Sequence, residues 1–306
     1  MKKIKIIISS IVLFFISRYV VINIEVLQSL LQVKSYYFLF LSFFILTLAF
    51  LIQVKIWKKV FLLNKIYLSF YQSLQIYSTA VMTAYIPGKL PGLYLTSKYA
   101  NNLIKKDKNI FLSIIFYQLS SLFSAAIVGS IYFVLILNVK FYIIKILIIF
   151  TLIITIILFV NPYNYIFLQK IIKKIFKRDI RYKIQTTFSK NIYIISQLSF
   201  VWALISLSIS LLNSSIKGYW DIDEYLIFSV VFLFSQILGA IIFILPSGIG
   251  VFESAIFFGV KTFISIEDSI RLAAISRLFM IVPAFLVFIN ELLLSLIRRK
   301  KISKKQ

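Results

Sequence analysis

"SYYFLFLSFFILTLAFLIQV" (35–54) is a run of twenty residues with no charge in it. Wound as an α-helix at about 1.5 Å per residue, it matches the roughly 30 Å of a bilayer's hydrocarbon core. "FYIIKILIIFTLIITIILFV" (141–160) repeats the pattern with a single lysine. Neither run alternates polar and apolar residues, as a membrane β-barrel strand must. The whole chain agrees: its 306 residues are 61% hydrophobic and 14% charged, with mean hydropathy +0.97. A soluble domain is only about 45–50% apolar, so the expected class is an all-α polytopic membrane protein.

A formal charge of +24 raises the question of nucleic acid. Basic loops on the cytoplasmic side of a membrane, facing anionic headgroups, explain it better. The chain has no cysteine and no histidine. Disulfides, thiol nucleophiles, imidazole acid–base chemistry and His- or Cys-ligated metals are therefore excluded. The N-terminal "MKKIKIIISSIVLFFI" has the outline of a signal peptide but no small-x-small cleavage site before Arg18, so it reads as a retained span.

Six full spans are expected at about 4–22, 35–54, 109–137, 141–161, 191–212 and 269–297. Two further apolar stretches, 66–104 and 225–264, are each broken in the middle by proline and glycine and read as re-entrant helical hairpins. Residues 162–190 form a basic loop. The whole chain, 1–306, makes one transmembrane domain. On this layout the N-terminus, 55–65, 98–108, 162–190 and 298–306 share a face and hold 25 of the 34 Lys and Arg residues. Six of the ten acids (Glu25, Asp221, Asp223, Glu224, Glu267 and Asp268) fall opposite. The positive-inside rule makes the basic face, with both termini, cytoplasmic.

The same layout divides into halves, 4–137 and 141–297, each reading span, span, hairpin, span. Three crossings per half is odd, so the second half is inverted relative to the first. Inverted repeats with interrupted helices in matching places point to a transporter's substrate site.

The interruptions are "YIPGKLPG" (85–92) and "ILPSGIG" (244–250), which hold three of the five prolines and four of the eight glycines. Proline ends a helical ladder and glycine admits positive φ. Backbone left unpaired at membrane depth survives only inside protein or beside water. A half-helix starts after each break, and helix N-termini attract phosphate and carboxylate. Two such ends converging would hold an anionic headgroup; ordinary packing kinks are the competing explanation.

Among the ionisable residues expected at membrane depth, Lys89 sits inside the first break, where it meets a phosphate or snorkels to the interface. Glu253, three residues after Gly250, either caps the second half-helix or serves a substrate or proton. Arg277, in the last span, needs a carboxylate; Glu253 is the nearest in sequence, and such a pair is more often scaffold than machinery. Arg18 and Lys261 have weaker claims. Ser120, Ser121, Ser124, Ala125, Gly129 and Ser130 form a small-residue surface suited to helix packing.

"ILPSGIGVFESAIFFGV" followed by "AAISRLFMIVPAFLVF" (273–288) resembles the C-terminal signature of the lysylphosphatidylglycerol synthase transmembrane region, or flippase-like, family. The matching positions are Pro246, Gly248, Gly250, Glu253, Arg277 and Pro283. "YIPGKLPG" is similar to that family's first motif at Pro87, Gly88 and Lys89. One departure stands out: "LYLTSKYA" lacks the arginine many members carry after the first motif, with only Lys98 nearby.

The resemblance implies a bacterial inner-membrane protein that moves an anionic phospholipid or lipid-linked glycan intermediate. Lys89, Gly88, Pro87, Gly248, Gly250, Glu253 and Arg277 would be the headgroup-binding residues. From the residues themselves no cofactor, catalytic residue or metal is expected, since no phosphate-binding glycine loop, metal constellation or nucleophile–base pair stands out. The chain ends in "IRRKKISKKQ", so the aminoacyl-transferase domain of bifunctional relatives is expected to be missing. A non-catalytic accessory role beside a glycosyltransferase or other membrane enzyme of cell-surface polysaccharide or glycolipid synthesis is the alternative.

Overall fold

The computed structural model describes residues 33–86, 89–104, 110–136, 187–242 and 245–303, with Ile146, Ile149 and Ile153 besides; for Lys89, Pro246 and 291–303 it describes the backbone alone. Among the described residues the chain is helical and contains no strand. The helices are α1 (Tyr36–Leu63), α2 (Phe70–Thr83), α3 (Lys89–Ile104), α4 (Ile110–Ile136), α5 (Phe188–Lys217), α6 (Ile222–Ile241), α7 (Val251–Val260) and α8 (Ile266–Ser303). A 3₁₀ turn, Pro246–Gly248, precedes α7. Five of these helices, α1, α4, α5, α6 and α8, are long and apolar enough to cross a membrane. The expected spans at 4–22 and 141–161, and most of the 162–190 loop, lie outside the described residues.

Local sequence explains where the helices begin. Ser69 and Gln72 form a reciprocal cap on α2: the Ser69 hydroxyl accepts the Gln72 backbone N–H at 3.1 Å, and the Gln72 side-chain Oε1 accepts the Ser69 N–H at 2.9 Å. Asp221 accepts the N–H groups of Asp223 and Glu224 at 2.8 and 3.1 Å, and both acids sit in the first turn of α6, where the dipole favours them. Gly218 ends α5 in the left-handed region, φ 90°, a conformation that favours glycine.

The helix α1 continues nine residues past the apolar run that announces it, through Lys55, Lys58 and Lys59 to Leu63. Trp57, Val60 and Phe61 are buried on its inner face, while Lys55 and Lys58 stand exposed on the outer one. Amphipathic continuation, rather than a loop, thus carries the basic residues of this segment.

Each half supplies one long helix, one pair of shorter helices and a second long helix. Contacts between α1 and α5 run from Lys34 N to Ser215 O (3.0 Å) at one end to Lys59 Nζ and Tyr193 OH (2.7 Å) at the other. Ascending numbers on α1 meet descending numbers on α5, so the two are antiparallel. Between these ends Ser42 and Ser208 exchange hydroxyl bonds to each other's carbonyls, at 2.7 and 2.9 Å. Other cross-half contacts come in exchanged pairs: α4 packs on α6 and α8 on α2, and α4 packs on α5 and, more lightly, α8 on α1. This is the pattern that exchanging the two halves produces.

Both broken stretches fold back as hairpins. Thr83 on α2 and Thr96 on α3 share a hydroxyl bond of 2.7 Å, and Gly239 on α6 packs against both Gly248 and Phe252. With α2, α3 and α7 at 14, 16 and 10 residues, their lengths of about 21, 24 and 15 Å fall short of a roughly 30 Å core. The α6 arm differs: at 20 residues it is long enough to cross alone.

The buried side of the bundle is rich in hydroxyls, most of them bonded to their own helix. Ser206, Ser214 and Ser215 bond to carbonyls three or four residues back, which satisfies them without a partner helix. Trp202 differs. Its indole N–H reaches across to the Ser121 carbonyl at 2.7 Å and ties α5 to α4. Trp202→Phe is expected to cost about 1–2 kcal/mol more than Trp57→Phe, read from thermal unfolding in detergent. The Trp57 indole N–H is equally buried but has no acceptor among the described residues, so its removal forfeits packing alone.

Candidate functional site

The second break is built by backbone conformation. Ser247, Gly248 and Gly250 all have positive φ, at 48°, 69° and 86°. Three left-handed residues within four positions reverse the chain between α6 and α7. Gly248 is held so near α6 that a Cβ built on it would lie 2.5 Å from the Cα and the carbonyl oxygen of Gly239. The first break shows the same device: a Cβ on Gly92 would lie 2.4 Å from the Thr83 carbonyl oxygen. Glycine therefore permits contact between backbones in both hairpins.

Immediately after the second break, Glu253 turns back to accept the Gly250 N–H at 2.7 Å. That closes the first turn of α7 and puts a carboxylate at the positive end of its dipole. The same carboxylate forms an ion pair with Arg277 Nε. Arg277 also donates through Nη1 to the Ser247 carbonyl at 3.0 Å and through Nη2 to the Gly248 carbonyl at 3.3 Å. Its guanidinium carbon stands 4.7 Å from the centre of the Phe252 ring. The residue is 5% exposed. One guanidinium thus pins the strained turn, its carbonyls and the acid that caps the following helix. A planar five-donor group suits this task and a lysine does not.

The two breaks touch. Ser247 N–H donates to the Ala84 carbonyl at 2.8 Å, next to the buried Tyr85. A peptide group of the first break and the charged centre of the second therefore meet at one buried spot.

Four of the residues expected from sequence, Gly248, Gly250, Glu253 and Arg277, are brought together here. Glu253 caps α7 and pairs with Arg277. Lys89 is the first residue of α3. Pro87 and Gly88 lie outside the described residues, as does Arg18. Lys261 stands apart at the end of α7, exposed, its ammonium 4.6 Å from the centre of the Phe258 ring. Sequence reading missed Ala84, Tyr85, Ser247 and Gly239. Only Gly239, a glycine inside an apolar helix, carried a readable signal. Comparison of the chain with family models, with curated proteins and with solved structures returned no match.

Proposed function

We propose that this chain is a flippase-like lipid transporter of the bacterial inner membrane, moving an anionic phospholipid or a lipid-linked glycan intermediate between leaflets. The observation that carries the reading is the meeting of two broken hairpins beside the buried Arg277–Glu253 pair. Hairpin arms too short to cross leave backbone at membrane depth, which is tolerated only beside protein or water. Paired helix breaks in two matching halves are how many transporters build a midplane site. In this reading the phosphate meets Lys89, and Gly248 to Glu253 shape the opposite wall, with acyl chains left in the bilayer.

Closure of Arg277 on Glu253 favours a second reading, a non-transporting accessory protein of a polysaccharide- or glycolipid-synthesising enzyme. Liposomes reconstituted with the purified chain and a labelled anionic lipid separate the two. Transport predicts translocation that falls about tenfold or more in Lys89→Ala, the order of a lost charge-assisted contact. No translocation by the native chain, or an equal rate in Lys89→Ala folded to the same extent, overturns the proposed site.

A further inference from the structure

We propose that the seam between the two breaks, Ala84 and Tyr85 on one side and Ser247 on the other, is a gate that parts and recloses during function. This rests on the transporter reading.

The argument is one of where the bonds close. Arg277 has its counter-ion, two carbonyl acceptors and an aromatic face, all supplied by residues 247 to 253 of the second half. Moving the second break away from the first therefore leaves no charge without its partner. Each hairpin is also locked within itself. Glycine lets the arms touch at Gly92 and Thr83 in one and at Gly248 and Gly239 in the other, and the Thr83–Thr96 hydroxyl bond adds to the first. Among the described residues the polar contact that crosses the seam is one amide–carbonyl bond, beside the packing of α8 on α2.

Neutral hydrogen bonds of this kind are replaced by water with little net loss, whereas a buried ion pair is not. Two internally locked hairpins whose polar contact across the seam is neutral and exchangeable form a joint suited to opening. A design meant to stay closed would run its charge pair across the seam.

The chain has no native cysteine, so an Ala84→Cys/Ser247→Cys pair forms the sole possible disulfide. The 2.8 Å bond between the two backbones places their Cα atoms close enough to bridge. In liposomes, oxidation is expected to slow lipid translocation by at least about tenfold and reductant to restore it, as expected when one of two states is trapped. Spin labels on Tyr94→Cys and Phe258→Cys, on the exposed faces of α3 and α7, give a second measurement. They are expected to report two separations in lipid nanodiscs. Fully cross-linked protein that translocates as fast as the same protein under reductant, or a single narrow separation, overturns the gate. If the native chain translocates nothing, the transporter reading falls by itself, and the spin-label separations still decide whether the seam opens.

Discussion

Glu253→Gln is expected to destabilise the folded chain by about 3–5 kcal/mol, the cost of leaving a buried charge without its partner. At 5% exposure Arg277 cannot hydrate its guanidinium in place of the lost carboxylate. The cap on α7 weakens less, because glutamine keeps an oxygen that accepts the Gly250 N–H. The comparison that identifies the mechanism is the double variant Glu253→Gln/Arg277→Met. Removing both charges, with volume roughly kept at 277, recovers more than half of the loss. Recovery stays incomplete because Arg277 also binds the Ser247 and Gly248 carbonyls. Thermal unfolding and monodisperse yield in detergent report both. Equal loss in the single and double variants would sink the claim that charge pairing dominates.

How much of this was legible beforehand depends on the range of the interaction concerned. The membrane class and the long spans follow from uninterrupted apolar runs such as 35–54, a signal confined to neighbouring residues. The breaks follow from Pro87, Pro91, Pro246 and the glycines around them, equally local. Pairing of Glu253 with Arg277 was accessible as well, since a buried arginine needs an acid and few are available at that depth. The helical extension of α1 through Lys55 to Leu63 was obscured by charge counting, because lysines on one face of a helix look like a loop in a window average. The contact of Ala84 with Ser247 was not accessible at all. A bond between main-chain groups 163 positions apart leaves no trace in side-chain chemistry. Tyr85 was hidden for the related reason that one tyrosine among 18 in a membrane protein reads as interfacial bulk.

Three glycine-to-alanine substitutions rank the constraints that shape the breaks. Gly250 has φ 86° but open space around the position a Cβ would take. Gly250→Ala therefore meets only the backbone penalty of the left-handed region, about 1–2 kcal/mol. Gly92 lies in α3 with ordinary φ, so Gly92→Ala meets only the clash with the Thr83 carbonyl, about 1–3 kcal/mol of overpacking. Gly248 suffers both, φ 69° and a Cβ position 2.5 Å from Gly239 backbone. Its neighbour across the gap is main chain, which cannot swing aside as a side chain would. Gly248→Ala is accordingly expected to cost about 2–5 kcal/mol, the two penalties together. Because the displaced turn also carries the Ser247 and Gly248 carbonyls, the same substitution loosens Arg277. Thermal unfolding of the three variants in one detergent tests the order. A Gly248→Ala variant as stable as Gly250→Ala would mean that α6 and the second break do not touch in the way that holds Arg277 in place.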